Sequence, residues 1–228
     1  IKEHVGAPVW HKDVRFFDIE TSSGRPIGSF YLDAYARPNK RSGAWMDECV
    51  GRKQLASGAA LPVAYLVCNV LPPNGDQPAL LTHDDVVTLF HEFGHGLHHL
   101  LTRVNYPSLA GINGVAWDAV ELPSQFLENY AWHPDVLQRI SKHVRTGATL
   151  PVDMQTQLIA TRSFHAGLQT MRQLEFALFD FRIHSEYDPA KGGRIAEILG
   201  EVRREVAVVP VPDWNRIPNS FGHIFAGG

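Results

Sequence analysis

The first third of the chain gathers aromatic and β-branched residues into short runs, and from Thr82 onward apolar positions take a helical spacing. Residues 13–20 ("DVRFFDIE") and 28–36 ("GSFYLDAYA") flank "TSSGRPI", whose serines, glycine and proline suit a turn, so the pattern predicts a hairpin. The nearly continuous apolar run "LPVAYLVCNV" (61–70) reads as a buried strand. Thr82 or Asp84 can cap a helix over about 84–102, with acidic residues in its first turn. A glycine-bearing loop follows at 106–116. Further helices are expected over about 117–132, 135–146, 152–185 and 193–207, with Pro123 tolerable near a first turn or at a kink. No internal repeat interrupts this order. The expected class is α+β, predominantly helical, with a small antiparallel sheet ahead of the helices.

Composition narrows the partners without naming a chemistry. The chain has 228 residues, enough to bury a sizeable core, and 44% apolar against 20% charged residues is ordinary for a globular protein. A formal charge of −3 gives no electrostatic case for nucleic acid or an anionic membrane. The basic cluster "RPNKR" (37–41) reads as a solvated turn. No apolar run reaches the roughly 20 residues that a membrane span needs. Two cysteines, Cys49 and Cys68, fit a reducing compartment better than a disulfide framework, with one bridge left open. The start, "IKEHVGAPVW", has no basic stretch followed by an apolar run, so no leader is expected in it. Without an initial methionine, and closing on "GHIFAGG", the chain is expected to be a fragment; nothing indicates an oligomeric state.

Chemistry concentrates in "LFHEFGHGLHHLL" (89–101), where His91, Glu92 and His95 fit the H-E-x-x-H template. On a helix, His91 and His95 differ by about 40° in direction and about 6 Å in height, so both imidazoles can meet one cation. Glu92 points about 80° from their bisector, too far round for a natural third ligand but near enough to hydrogen-bond a water on the metal. Neutral imidazoles with an oxygen donor suit zinc, one ion per chain. The other faces are apolar through Leu89, Phe90, Phe93, Leu97 and Leu100. His98 shares the angular stripe of His91 but lies about 10 Å along the axis, beyond the reach of one ion, so His98 and His99 read as core or supporting histidines.

The longer template with a third histidine fails, because His98 and Leu101 stand where it needs glycine and histidine. A carboxylate from a later helix is the remaining common solution, with Glu121, Glu128 and, further off, Glu175 as candidates. Glu121 follows a loop able to reverse the chain. Asp118 could accept a ligand histidine's free N–H, and Ser124 and Gln125 could support Glu121. Glu128 reads as a solvated helix face. His83 and His133 read as helix-end residues, and His165 as a core or helix-surface residue.

"LFHEFGHGLHHLL" followed by "SLAGINGVAWDAVELPSQFLENYAW" resembles the thimet-oligopeptidase family of zinc peptidases. The likeness extends through "GSFYLDAYARPNKRSGAWMDECV", "PVAYLVCN", "MRQLEFALFDFRIH" and "SFGHIFAGG", and so across the chain. It implies a zincin-like helical catalytic core, cytoplasmic cleavage of short peptides, zinc on His91, His95 and Glu121, and Glu92 as the base that assists attack by a zinc-bound water. It also implies that His223 helps stabilise the oxyanion, together with tyrosines beyond Gly228. "LAGINGV" (109–115) resembles the family's flexible substrate-contacting loop. The resemblance makes residues 1–228 one catalytic-domain fragment without the family's N-terminal helical part, hence weakly active or inactive alone. The alternative is a peptide-binding scaffold that keeps the zinc site but not the activity.

Overall fold

The computed structural model describes residues 1–225. The chain forms two units, Ile1–Pro151 and Val152–Gly228.

The first unit is built on a five-stranded sheet: β1 (Lys2–Glu3), β2 (Arg15–Glu20), β3 (Pro26–Tyr35), β4 (Trp45–Val50) and β7 (Val63–Val70), in the order β1-β2-β3-β7-β4. A separate ribbon joins β5 (Lys53–Leu55) to β6 (Gly58–Ala60). The expected hairpin is β2–β3, with Phe17 opposite Phe30 and a register shift at Ile19/Glu20. The sheet is mixed rather than antiparallel, because β7 runs parallel to β3 and antiparallel to β4. The apolar run of β7 explains the arrangement. Ala64, Leu66, Val67, Cys68 and Val70 are all buried, which requires a neighbour on each side; β4 takes the outer edge and the chain returns between it and β3. Asp47 and Glu48 in β4 break the apolar pattern, so the sequence did not mark this edge strand.

One face of the sheet carries α1 (His83–Leu100). Thr82 caps it: its hydroxyl accepts from Asp85 N–H while the Asp85 carboxylate accepts from Thr82 N–H. Phe93, Leu97 and Leu100 recur at helical spacing and pack on Ile19, Phe30, Ala64 and Leu66. The rings of Phe17 and Phe30 stack at 5.1 Å, and Phe93 sits 5.5 Å from Phe30. The apolar stripe thereby turns the opposite side of α1, with His91 and His95, away from the sheet. Three 3-10 turns lead into α2 (Leu122–Ala131), shorter than expected because Pro123 stands at its first turn, and α3 (Pro134–Ile140) follows, with His133 as its cap. His83 opens α1 against the Trp132 ring, at 4.2 Å.

The cluster "RPNKR" is a solvated turn only in part: Pro38, Asn39 and Arg41 are exposed, but Arg37 and Lys40 are drawn inward. Arg37 donates twice to Asp33 and Lys40 donates to the same carboxylate and to the Asp33, Tyr35 and Cys68 carbonyls, leaving Lys40's side chain 5% exposed. A buried carboxylate drew both cations inward. Both cysteines are free.

The second unit contains α4 (Val152–Thr161), α5 (Ala166–Ser185) and α6 (Ile195–Val206), with Phe179, Ile198, Leu199 and Val202 as its core. The single helix expected over 152–185 is broken. Thr161 and Ser163 hydroxyls donate to the carbonyls of Leu158 and Ala160, and His165 takes a left-handed conformation at φ 54°. Among the described residues, no helix is long and apolar enough to cross a membrane.

Candidate metal centre

Two helices build the centre from opposite directions. α1 contributes His91 and His95, whose rings lie 4.9 Å apart, as a helical i, i+4 pair should. Glu121 stands at the residue before α2, where the chain has just reversed through the glycine-bearing loop. Its Oε2 lies 3.1 Å from Nε2 of both histidines. One ligand atom from each of the three lies within 4.8 Å of the others, a grouping of the kind that can hold a metal ion.

The protonation chemistry fits that use. Burial lowers the pKa of His95, against the opposing pull of the Glu121 charge, and so favours the neutral imidazole that a metal needs. His91 Nδ1 donates to Glu128 Oε1 at 2.7 Å, which leaves Nε2 with its lone pair toward Glu121 and the shared space. Glu121 is held from its own helix: the buried Ser124 hydroxyl lies 2.8 Å from both its carbonyl oxygen and its Oε2.

Glu92 is 5% exposed. Burial pushes its carboxyl up to about 7; the nearby His91 and a hydrogen bond from the Met46 N–H pull the other way, and the Glu121 charge adds to the rise. A carboxylate so placed can take and return a proton near neutral pH.

The remaining sequence candidates separate clearly. Asp118 is exposed, and among the described residues no hydrogen bond or ion pair joins it to His91 or His95. Glu128, read from sequence as a solvated face, is the carboxylate that meets His91. The signal was present: seven residues from Glu121 is about two turns, which returns to the same helical face. Glu175 lies in the second unit, 3% exposed, between Arg172 and Arg203 at 2.8 and 2.9 Å. Burial would raise its pKa, but the hydrogen bonds from these arginines hold it below the usual value, and its lone pairs are spent there. His223 is exposed in the turn Gly222–Ile224 of the second unit. The last three residues of "SFGHIFAGG" lie outside the described residues.

His99 is fully buried, with Nε2 3.2 Å from the Val50 carbonyl oxygen and 3.8 Å from Glu48. The loop 109–115 packs on it through Gly111, whose φ of +57° and contact with the imidazole exclude a side chain. Asn113 ties the same loop to Glu48 at 2.8 Å.

Comparison with known proteins matches residues 1–228, the whole chain, to Peptidase family M3. The chain belongs to this family. Oligopeptidase A of Escherichia coli K12 is 55% identical over 228 residues, covering all of this chain and 34% of the relative. The probable cytosolic oligopeptidase A of Arabidopsis thaliana is 48% identical over 227 residues, covering 97% of this chain and 32% of the relative. Dipeptidyl carboxypeptidase of E. coli K12 is 38% identical over 228 residues, covering 99% and 33%. The chain therefore spans about a third of the length of these curated relatives.

Proposed function

We propose that this chain forms part of the zincin-like catalytic core of a zinc-dependent oligopeptidase that hydrolyses short peptides in the cytoplasm. The observation that carries the reading is the convergence of His91, His95 and Glu121, two imidazoles and a carboxylate within 4.8 Å, in a member of Peptidase family M3. These three residues would hold one zinc ion. When bound, zinc supplies Lewis-acid polarisation of the scissile carbonyl and lowers the pKa of a coordinated water.

The chain's own residues do the rest. Glu92 accepts the proton of the attacking water and returns it to the leaving amine, a role that its elevated pKa supports. Glu128 fixes the tautomer and ring orientation of His91. Ser124 holds the Glu121 carboxylate. The cytoplasmic assignment is supported by the printed name of the probable cytosolic oligopeptidase A of Arabidopsis thaliana.

Two measurements test the proposal. Purified chain should contain near-stoichiometric zinc that His95→Ala removes; no zinc in the wild type would defeat the reading. When these residues replace the matching third of E. coli oligopeptidase A, the chimera should cleave a quenched-fluorescent peptide. Glu92→Gln in that chimera should lower kcat by at least about 100-fold, the lower range for removing an acid–base group. An unchanged rate would remove Glu92 from the mechanism. The isolated 228-residue chain should be weakly active or inactive.

A further inference from the structure

We infer that Gly94, which lies inside the H-E-x-x-H stretch but ligates nothing, positions Glu121 for the metal by admitting the backbone of α2 against α1. This rests on the zinc reading above and deepens it.

Glycine in a helix interior costs about 1 kcal/mol relative to alanine, and α1 carries two, Gly94 and Gly96. The surroundings of the two differ in kind. A methyl group at 96 would come 3.0 Å from Leu66 Cδ2, a side-chain atom of the sheet core and not part of α2. A methyl group at 94 would come 2.5 Å from Ser124 Cα and 2.6 Å from the Pro123 carbonyl oxygen. Those are backbone atoms in the first turn of α2, and they can yield only if that turn moves.

The displaced turn is the one that carries the third donor. Glu121 immediately precedes it, and Ser124, whose Cα is the atom in contact, donates its hydroxyl to Glu121 Oε2 at 2.8 Å. His91 and His95 stay together whatever α2 does, because one helix holds both. Glu121 reaches their Nε2 atoms at 3.1 Å only because α2 lies against α1 at Gly94. Ligand geometry tolerates shifts of only about 0.2 Å, so a small retreat of α2 removes the third donor from the set.

The test is zinc affinity, measured on the 228-residue chain by competition with a chromogenic chelator. Gly94→Ala should weaken binding by about 10- to 100-fold, the range seen when support of a ligand is lost. Gly96→Ala should leave it within about threefold, since its methyl meets Leu66 on the sheet side and no atom of α2. A purely structural defect is separated by a double-mutant cycle. Glu121→Gln should weaken binding strongly in the wild-type background and add almost nothing to Gly94→Ala, because Glu121 has already left the set.

Wild-type affinity in Gly94→Ala, or a full additional loss from Glu121→Gln in that background, overturns the inference. If circular dichroism shows that Gly94→Ala does not fold as the 228-residue chain, the same cycle is run in the E. coli oligopeptidase A chimera, and wild-type zinc affinity of Gly94→Ala there would then overturn it. A wild-type chain that binds no zinc overturns both this inference and the proposed function, whereas a zinc-binding wild type with an indifferent Gly94→Ala overturns this inference alone.

Discussion

Glu128 accepts the His91 Nδ1 hydrogen at 2.7 Å and is about one-third exposed at its side chain. In that position it selects the tautomer whose Nε2 is free for a metal. Glu128→Gln keeps the shape and one acceptor oxygen but loses the charge. It should weaken zinc binding by about tenfold, toward the low end of the range for such partners, in the same chelator competition. Unchanged affinity would make Glu128 the solvated residue that its sequence context suggested. The histidine pair itself was legible, since i, i+4 spacing places two imidazoles together on any α-helix. Its partner was legible only in part: Glu128 shares a helical face with Glu121, but which carboxylate meets a histidine 37 residues away is chosen by helix packing.

Among the elements, α1 does two jobs with one periodicity. Phe93, Leu97 and Leu100 seat it on the sheet, and the residues on the opposite side are thereby presented as donors. Its start depends on the reciprocal bonds between Thr82 and Asp85. Thr82→Ala should destabilise the first unit by about 1 kcal/mol, read from urea denaturation with the slope unchanged. A loss below a few tenths would mean that the cap contributes nothing beyond solvent. The cap, the helix and strand β7 were readable from local composition. The parallel pairing of β7 with β3 was not, because pairing direction depends on where β4 goes, and β4 carries no strong strand pattern of its own.

Across the first unit as a whole, Asp33 gathers distant parts of the chain. Trp10 Nε1, Arg37 and Lys40 all donate to its carboxylate, and Lys40 also reaches the carbonyl of Cys68. Burial alone would raise its pKa, yet the hydrogen bonds from Arg37, Lys40 and Trp10 hold it at about 2, below the ordinary 3.8. A carboxylate with a depressed folded-state pKa stabilises the fold fully above its unfolded value, and that contribution fades as pH falls toward the folded value. The stability difference between wild type and Asp33→Asn should therefore shrink by about 1 kcal/mol between about pH 5 and about pH 3. Urea titrations at both pH values would show it, and a constant difference would mean that Asp33 has no depressed pKa. Two cations of the basic cluster, Arg37 and Lys40, were misread from sequence for this reason: charge runs are usually solvated, and only the fold reveals a buried carboxylate to receive them.

What the sequence determined by itself is what short-range geometry controls. One helical turn brings His91 and His95 together and turns Glu92 aside; a threonine and an aspartate three apart start the helix; an apolar run becomes a buried strand. Tertiary structure decided everything that needs two distant backbones to meet. It set Glu121, the carboxylate that the sequence already favoured, beside both histidines, joined Glu128 to His91, spent Glu175 on two arginines and drew Lys40 inside. It also gave Gly94 its meaning, because whether a helical glycine is a weak point or a required contact depends on what lies within 3 Å of the place that a methyl group would take.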